Sequence, residues 1–84
     1  MTLKELVKSC RPDVDCYVTL VKKSRSDPRY YDWRPLRPYG DTRTTADHIL
    51  NWWYDDLLGL EVKSIDVQGG LHGQLGIDVI RWID

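Results

Sequence analysis

At 84 residues the chain has room for one hydrophobic core, and a chain this short buries only about 60–65% of its unfolded surface. Its two cysteines exclude the disulfide framework of a secreted mini-domain, and no apolar run approaches the ~20 residues of a membrane span. A net charge of −1 argues neither for nor against an anionic partner. Four Trp and five Tyr with no Phe must supply much of the apolar bulk, at roughly 150–250 Å² for each buried ring. The opening residues 1–5 carry no apolar targeting stretch, so the expectation is a single cytoplasmic domain spanning residues 1–84.

Thr2-x-x-Glu5 is a capping box, in which hydroxyl and carboxylate each satisfy an orphan backbone N–H. Leu3, Leu6, Val7 and Cys10 follow at i, i+3, i+4 and i+7, which predicts a short amphipathic helix ending near Pro12. Residues 15–22 read as a strand, with Cys16, Val18 and Leu20 on one face and Tyr17, Thr19 and Val21 on the other. Residues 23–44 hold three of the four prolines and no helical period, an unusually long connection in which 30–36 could add an edge strand. A second helix starts at the Thr44/Thr45 cap, buries Ala46, Ile49, Leu50, Trp53 and Leu57, and ends at Gly59 as a natural C′ residue. Residues 61–68 and 71–82 predict a hairpin turning near Gly69-Gly70, with a wider turn through His72 to Gly76 as the alternative. The expected architecture is α+β in the order α-β-(loop or edge β)-α-β-β. It places two helices on one face of a small, mostly antiparallel sheet of three to four strands.

Two packing anomalies stand out. Successive helical residues diverge by about 100°, so Trp52 falls at the edge of the stripe that Trp53 occupies, above His48 and beside Asp56. The last strand has Leu75, Ile77 and Val79 on one face but Ile80 and Trp82 on the other, where Tyr17 and Val21 enlarge a second apolar surface. Helices on one side cannot cover both faces. Either the 28–39 loop folds back over the second face, the favoured reading, or another chain does.

Charge is polarised along the sequence. Residues 22–43 carry seven Lys and Arg against three Asp, whereas 44–84 carry seven acids against Lys63 and Arg81. The basic segment interleaves aromatics, and Arg29, Tyr31, Trp33, Arg34, Arg37 and Tyr39, with Trp52 as an adjacent anchor, are the candidate partner-binding residues. Guanidinium forks suit phosphate or carboxylate, rings suit base stacking, and the same residue types dominate protein-interface hot spots. A solvated loop that pairs its own charges and plugs the core is the bland reading of the segment. Nucleic-acid binding has no helix-turn-helix, RRM, KH or zinc-finger pattern behind it.

Nothing points to catalysis, a cofactor or a metal. The spacing of Cys10 and Cys16 matches no redox or zinc motif, and both read as small core hydrophobes. His48 reads as a polar-face residue and His72 as a turn residue. Walker A, G-x-G-x-x-G, G-x-S-x-G and H-E-x-x-H sequences are all missing. Asp55 and Asp56 are helical neighbours whose carboxylates diverge, so they make no acid–base pair.

Met1-Thr2, Lys4-Glu5-Leu6-Val7, Asp13-Val14-Asp15 and the strand from Leu60 to Ile65 resemble the short accessory proteins of phages and mobile elements in Gram-positive bacteria. The resemblance covers the two ends of the chain and not 23–44. It implies an accessory role, such as an anti-CRISPR-like inhibitor of host defence or a sponge for a signalling nucleotide, and transfers no site residue. The expected function is a non-enzymatic phage- or element-type inhibitor that occupies a surface of a host protein, such as a nucleic-acid-handling effector. One alternative is a sponge for an anionic nucleotide, formed as a homodimer through the Ile80/Trp82 sheet face. The other is a structural or assembly factor.

Overall fold

The computed structural model describes residues 1–38, 40, 44–68 and 74–84. Helix α1 spans Leu3–Ser9 and starts as its sequence predicts. The Glu5 amide donates to Thr2 Oγ1 (3.2 Å) and the Thr2 amide donates to Glu5 Oε1 (3.1 Å), the Thr2 contacts holding the Glu5 carboxyl below its ordinary value. Strand β1 spans Asp15–Lys23, strand β2 Tyr31–Pro35 and strand β3 Thr44–Thr45. Helices α2 (Ala46–Trp52) and α3 (Asp55–Leu58) follow, then strands β4 (Glu61–Gln68) and β5 (Gln74–Trp82).

The molecule is α+β, and its sheet differs from the expected one. Five strands form a mixed sheet in the order β2-β1-β5-β4, with β3 also on β1. The central pair β1/β5 is parallel over nine residue pairs, from Asp15↔Gln74 to Lys23↔Trp82, while the other pairs are antiparallel. Hairpin reasoning links sequence neighbours and is correct for β4/β5. It is blind to β1 and β5, which a helical crossover brings side by side. The β4/β5 turn at 69–73 lies outside the described residues.

The predicted second helix is two. Trp53 is extended (ψ 151°), Tyr54 is extended too, and α3 restarts at Asp55. In one continuous helix Trp53 and Leu58 would point about 140° apart. The break turns both into the core, where they are 6% and 4% exposed, while Leu50 and Leu57 are half-buried. Gly59 keeps a right-handed backbone (φ −82°), so the left-handed C′ conformation expected of it is not used.

All three helices pack on one sheet face. Leu3, Leu6 and Val7 of α1, Ala46 and Ile49 of α2, Trp53, and Leu58 of α3 meet Cys16, Val18, Leu20, Ile77 and Val79 of β1 and β5. Fully buried members such as Leu3, Ile49 and Ile77 each contribute about 1.5–3 kcal/mol by leaving water. Cys16 is among them, and burial, then its neighbours Cys10 and Asp15, pushes its thiol up to about 12, as befits a core hydrophobe. The edge of β4 is tied at its start, where the Leu3 amide donates to the Leu60 carbonyl and the Val62 amide to the Met1 carbonyl (both 2.8 Å). A bulge at Val62/Ser64 follows.

Candidate functional site: the helix-free face of the sheet

Strand alternation decides which side chains leave the core. On β1 the core takes Cys16, Val18 and Leu20, so Tyr17, Thr19, Val21 and Lys23 point the other way. The register then sets rows across the sheet: Trp33–Val21–Ile80, Tyr31–Lys23–Trp82, Pro35–Thr19–Asp78–Ser64 and Tyr17–Gly76–Asp66. Among the described residues, no helix lies on this face.

The 31–35 segment does not fold back over that face; it widens it. Tyr30 to Trp33 are β-favouring aromatics around one Asp, and Pro35 lacks a donor, which suits the edge position β2 takes. Leu36 then donates its amide to the Val18 carbonyl (2.8 Å) and packs against the helix-side core. The edge-strand expectation for 30–36 is therefore met and the loop-cover expectation is not. Tyr31, Trp33 and Trp82 remain 56%, 58% and 38% exposed. Val21 is nonetheless buried, flanked by Trp33 and Ile80 in its row.

The face has two chemical ends. At one end Lys23 joins the rings of Tyr31 and Trp82, and the Arg25 guanidinium lies 4.4 Å from the centre of the Trp82 ring, a cation–π contact. Asp84 clasps the same end. Its carboxylate accepts from the hydroxyls of Ser26 and Ser24 and the amides of Arg25 and Ser26, while Arg25 Nη1 donates to the Asp84 carbonyl (3.0 Å). The Ser26 hydroxyl first, then the Arg25 amide and the Ser24 hydroxyl, hold the Asp84 carboxyl well below the usual carboxylate range.

At the other end lies a dent of about 190 Å³ lined by Tyr17, Thr19, Ser64, Asp66, Gly76 and Asp78. Gly76 makes room for it: a Cβ there would sit 3.4 Å from the Asp66 carbonyl oxygen and 3.7 Å from its Cβ. Ser64 Oγ donates to Asp78 Oδ2 (3.0 Å), and Asp66 stands two residue pairs along, on the same face. The face is therefore aromatic and basic at one end and hydroxylated and acidic at the other.

The predicted site residues divide between layers. Tyr31 and Trp33 lie on the helix-free face, whereas Arg34 and Asp32 point to the helix side of β2, where they form an exposed ion pair (3.3 Å). Such a pair is worth under about 1 kcal/mol. Arg29 is exposed in the β1–β2 connection, and Arg37 is exposed just beyond β2. Tyr39 lies outside the described residues, as does His72. Trp52 sits on α2, in the helix layer across the sheet from Trp33, 65% exposed and stacked on His48 with ring centres 6.2 Å apart. Lys23, Arg25, Asp66, Asp78 and Gly76 were not singled out from sequence. Period-2 alternation through β4 and β5 carries the signal for the two aspartates, since it puts them on the Ile80 side.

Among the described residues, no group of three or more His, Cys, Asp or Glu side chains could hold a metal ion, and no helix is long and apolar enough to cross a membrane. Compared with protein-family models, with curated proteins and with solved structures, the chain matches none.

Proposed function

We propose that this chain is a non-enzymatic binding protein, an accessory inhibitor of phage or mobile-element type that blocks a host defence effector by covering one of its surfaces. One observation carries the reading: a rigid sheet face presents Tyr31, Trp33 and Trp82 to solvent beside Tyr17 and Ile80, with no helix over it among the described residues. Aromatic anchors on a preformed strand lose little conformational entropy on docking, which is what a contact inhibitor needs. Arg25, against Trp82, and the exposed Arg29 of the β1–β2 connection lie at one end of that face, and Asp66 and Asp78 lie at the far one. A charged groove on an effector that handles nucleic acid would steer such a polarised surface into register.

A sponge for an anionic nucleotide is the second reading. The Arg25–Trp82 contact beside Tyr31 and Lys23 favours it, since it offers a cation and stacking rings together. Asp66 and Asp78 on the same face oppose it.

The test is capture of the tagged protein from a bacterial lysate carrying active defence systems, read by native mass spectrometry. Wild type is expected to retain a host effector and inhibit it, and Trp33→Ala and Tyr31→Ala, both on the helix-free face, are expected to lose both without unfolding. Full capture by both variants would refute the site. A nucleotide-sized adduct with no host protein would install the sponge instead.

A further inference from the structure

The geometry points to a second copy of this chain as an occupant of the helix-free face, in a two-fold pair where each Trp33 ring enters the dent of the other copy. This inference stands on the shape and charge of the face and does not depend on the identity of a host protein. Trp33 is the projecting element, on the outermost strand and 58% exposed. The dent is the receiving one, centred on β5 two strands away, between the Tyr17 and Thr19 rows.

Strands lie ~4.8 Å apart and residues ~3.3 Å apart, so Trp33 and the dent are separated by about 10 Å across the strands and about 10 Å along them. A two-fold axis between the facing sheets, perpendicular to that diagonal, exchanges the two positions and crosses the strands at about 45°. The two sheets then cross at roughly 90°, one of the two packings that twisted sheets adopt.

The same rotation brings Ile80 close to the axis, against its own copy. It carries Lys23 of each copy to the β4 side of the other, beside Ser64 and Glu61, so cation meets carboxylate twice. The indole N–H of Trp33 arrives among the oxygens of Asp66 and Asp78, which gives the donor a partner as the ring is buried. A face that is basic and aromatic at one end and acidic and dented at the other is complementary to itself under this rotation. Four strands by six residues give a flat footprint of roughly 400 Å², against ~800 Å² per partner in a standard interface. The pair is therefore weak, and the face exchanges between a second copy and any tighter partner.

Sedimentation equilibrium of the purified chain from about 1 μM to about 1 mM tests the pair. Wild type is expected to pass from monomer to dimer across that range. Trp33→Ala, Lys23→Glu and the dent-filling Gly76→Leu are each expected to weaken association at least tenfold, roughly the loss of one interface anchor. Circular dichroism checks that each variant is folded. Lys23→Glu combined with Glu61→Lys is expected to restore association, since only a contact between those two positions is repaired by the swap. A chain that stays monomeric throughout, variants that associate like wild type, or a double variant no better than Lys23→Glu alone would each overturn the pair. A monomer that still captures a host effector through Trp33 overturns the pair and leaves the inhibitor reading standing. A dimer that captures none does the reverse.

Discussion

Replacing Ile77 and Ile80 by alanine, one at a time, tests the assignment of the two sheet faces. Both residues lie on β5, three positions apart, and both lose the same three carbons. Ile77 is fully buried on the helix side, with Val18 and Ile65 beside it in the sheet. Its truncation leaves a cavity that the close-packed helices cannot fill, at a cost of about 2–5 kcal/mol. Ile80 is only half-buried on the helix-free face, where water takes the place of the lost carbons, so its truncation costs about 1 kcal/mol. A chain of this length has roughly 4–13 kcal/mol of stability, at about 0.05–0.15 kcal/mol per residue. A 3 kcal/mol loss at Ile77 lowers the midpoint by about 12–24 °C, and the Ile80 change by about 4–8 °C. The assay is thermal unfolding by circular dichroism at low micromolar concentration, where self-association is negligible. An Ile80→Ala variant as unstable as Ile77→Ala would mean that the chain covers its own second face, and the proposed contact surface would be lost with it.

Cys10, half-buried at the end of α1, is expected to react with a disulfide reagent at pH 8 well before Cys16, whose thiol burial raises to about 12; equal rates in the folded protein would refute the core role of Cys16. Asp84 titrates lower in the folded chain than in the unfolded one, so its clasp stabilises fully above the unfolded value of 3.8 and is lost as pH falls toward the folded value. Urea midpoints of wild type are therefore expected to fall below about pH 4 more steeply than those of Asp84→Asn, and parallel curves would show that the clasp contributes nothing.

Local signals in the sequence carried much of the fold. The Thr2–Glu5 box, the Thr45 cap whose hydroxyl accepts from the His48 amide (3.2 Å), and the alternation of 15–22 and 61–68 depend only on near neighbours, and all appear at those positions. The same alternation made the second apolar face visible, because parity along a strand survives any choice of partner strand. The break at Trp53–Tyr54 was not legible. Nothing in the local period forbids a continuous helix, and only the demand to bury both Trp53 and Leu58 against one sheet bends the chain there. Trp52 was joined to Trp33 by residue type alone, and the sheet lies between their layers.

What the sequence determined by itself was α1, β1, the edge strand, the start of α2, β4 and β5, the faces of those strands, and the presence of more apolar surface than helices on one side can cover. These follow from short-range sterics, capping hydrogen bonds and periodicity. The parallel β1/β5 pair, the placement of β2 as an edge that widens the second face, and the meeting of Asp66, Asp78 and Gly76 in one dent were decided only by the tertiary structure. Each depends on which strands become neighbours, a choice made by burial across the whole chain, and no local pattern records it.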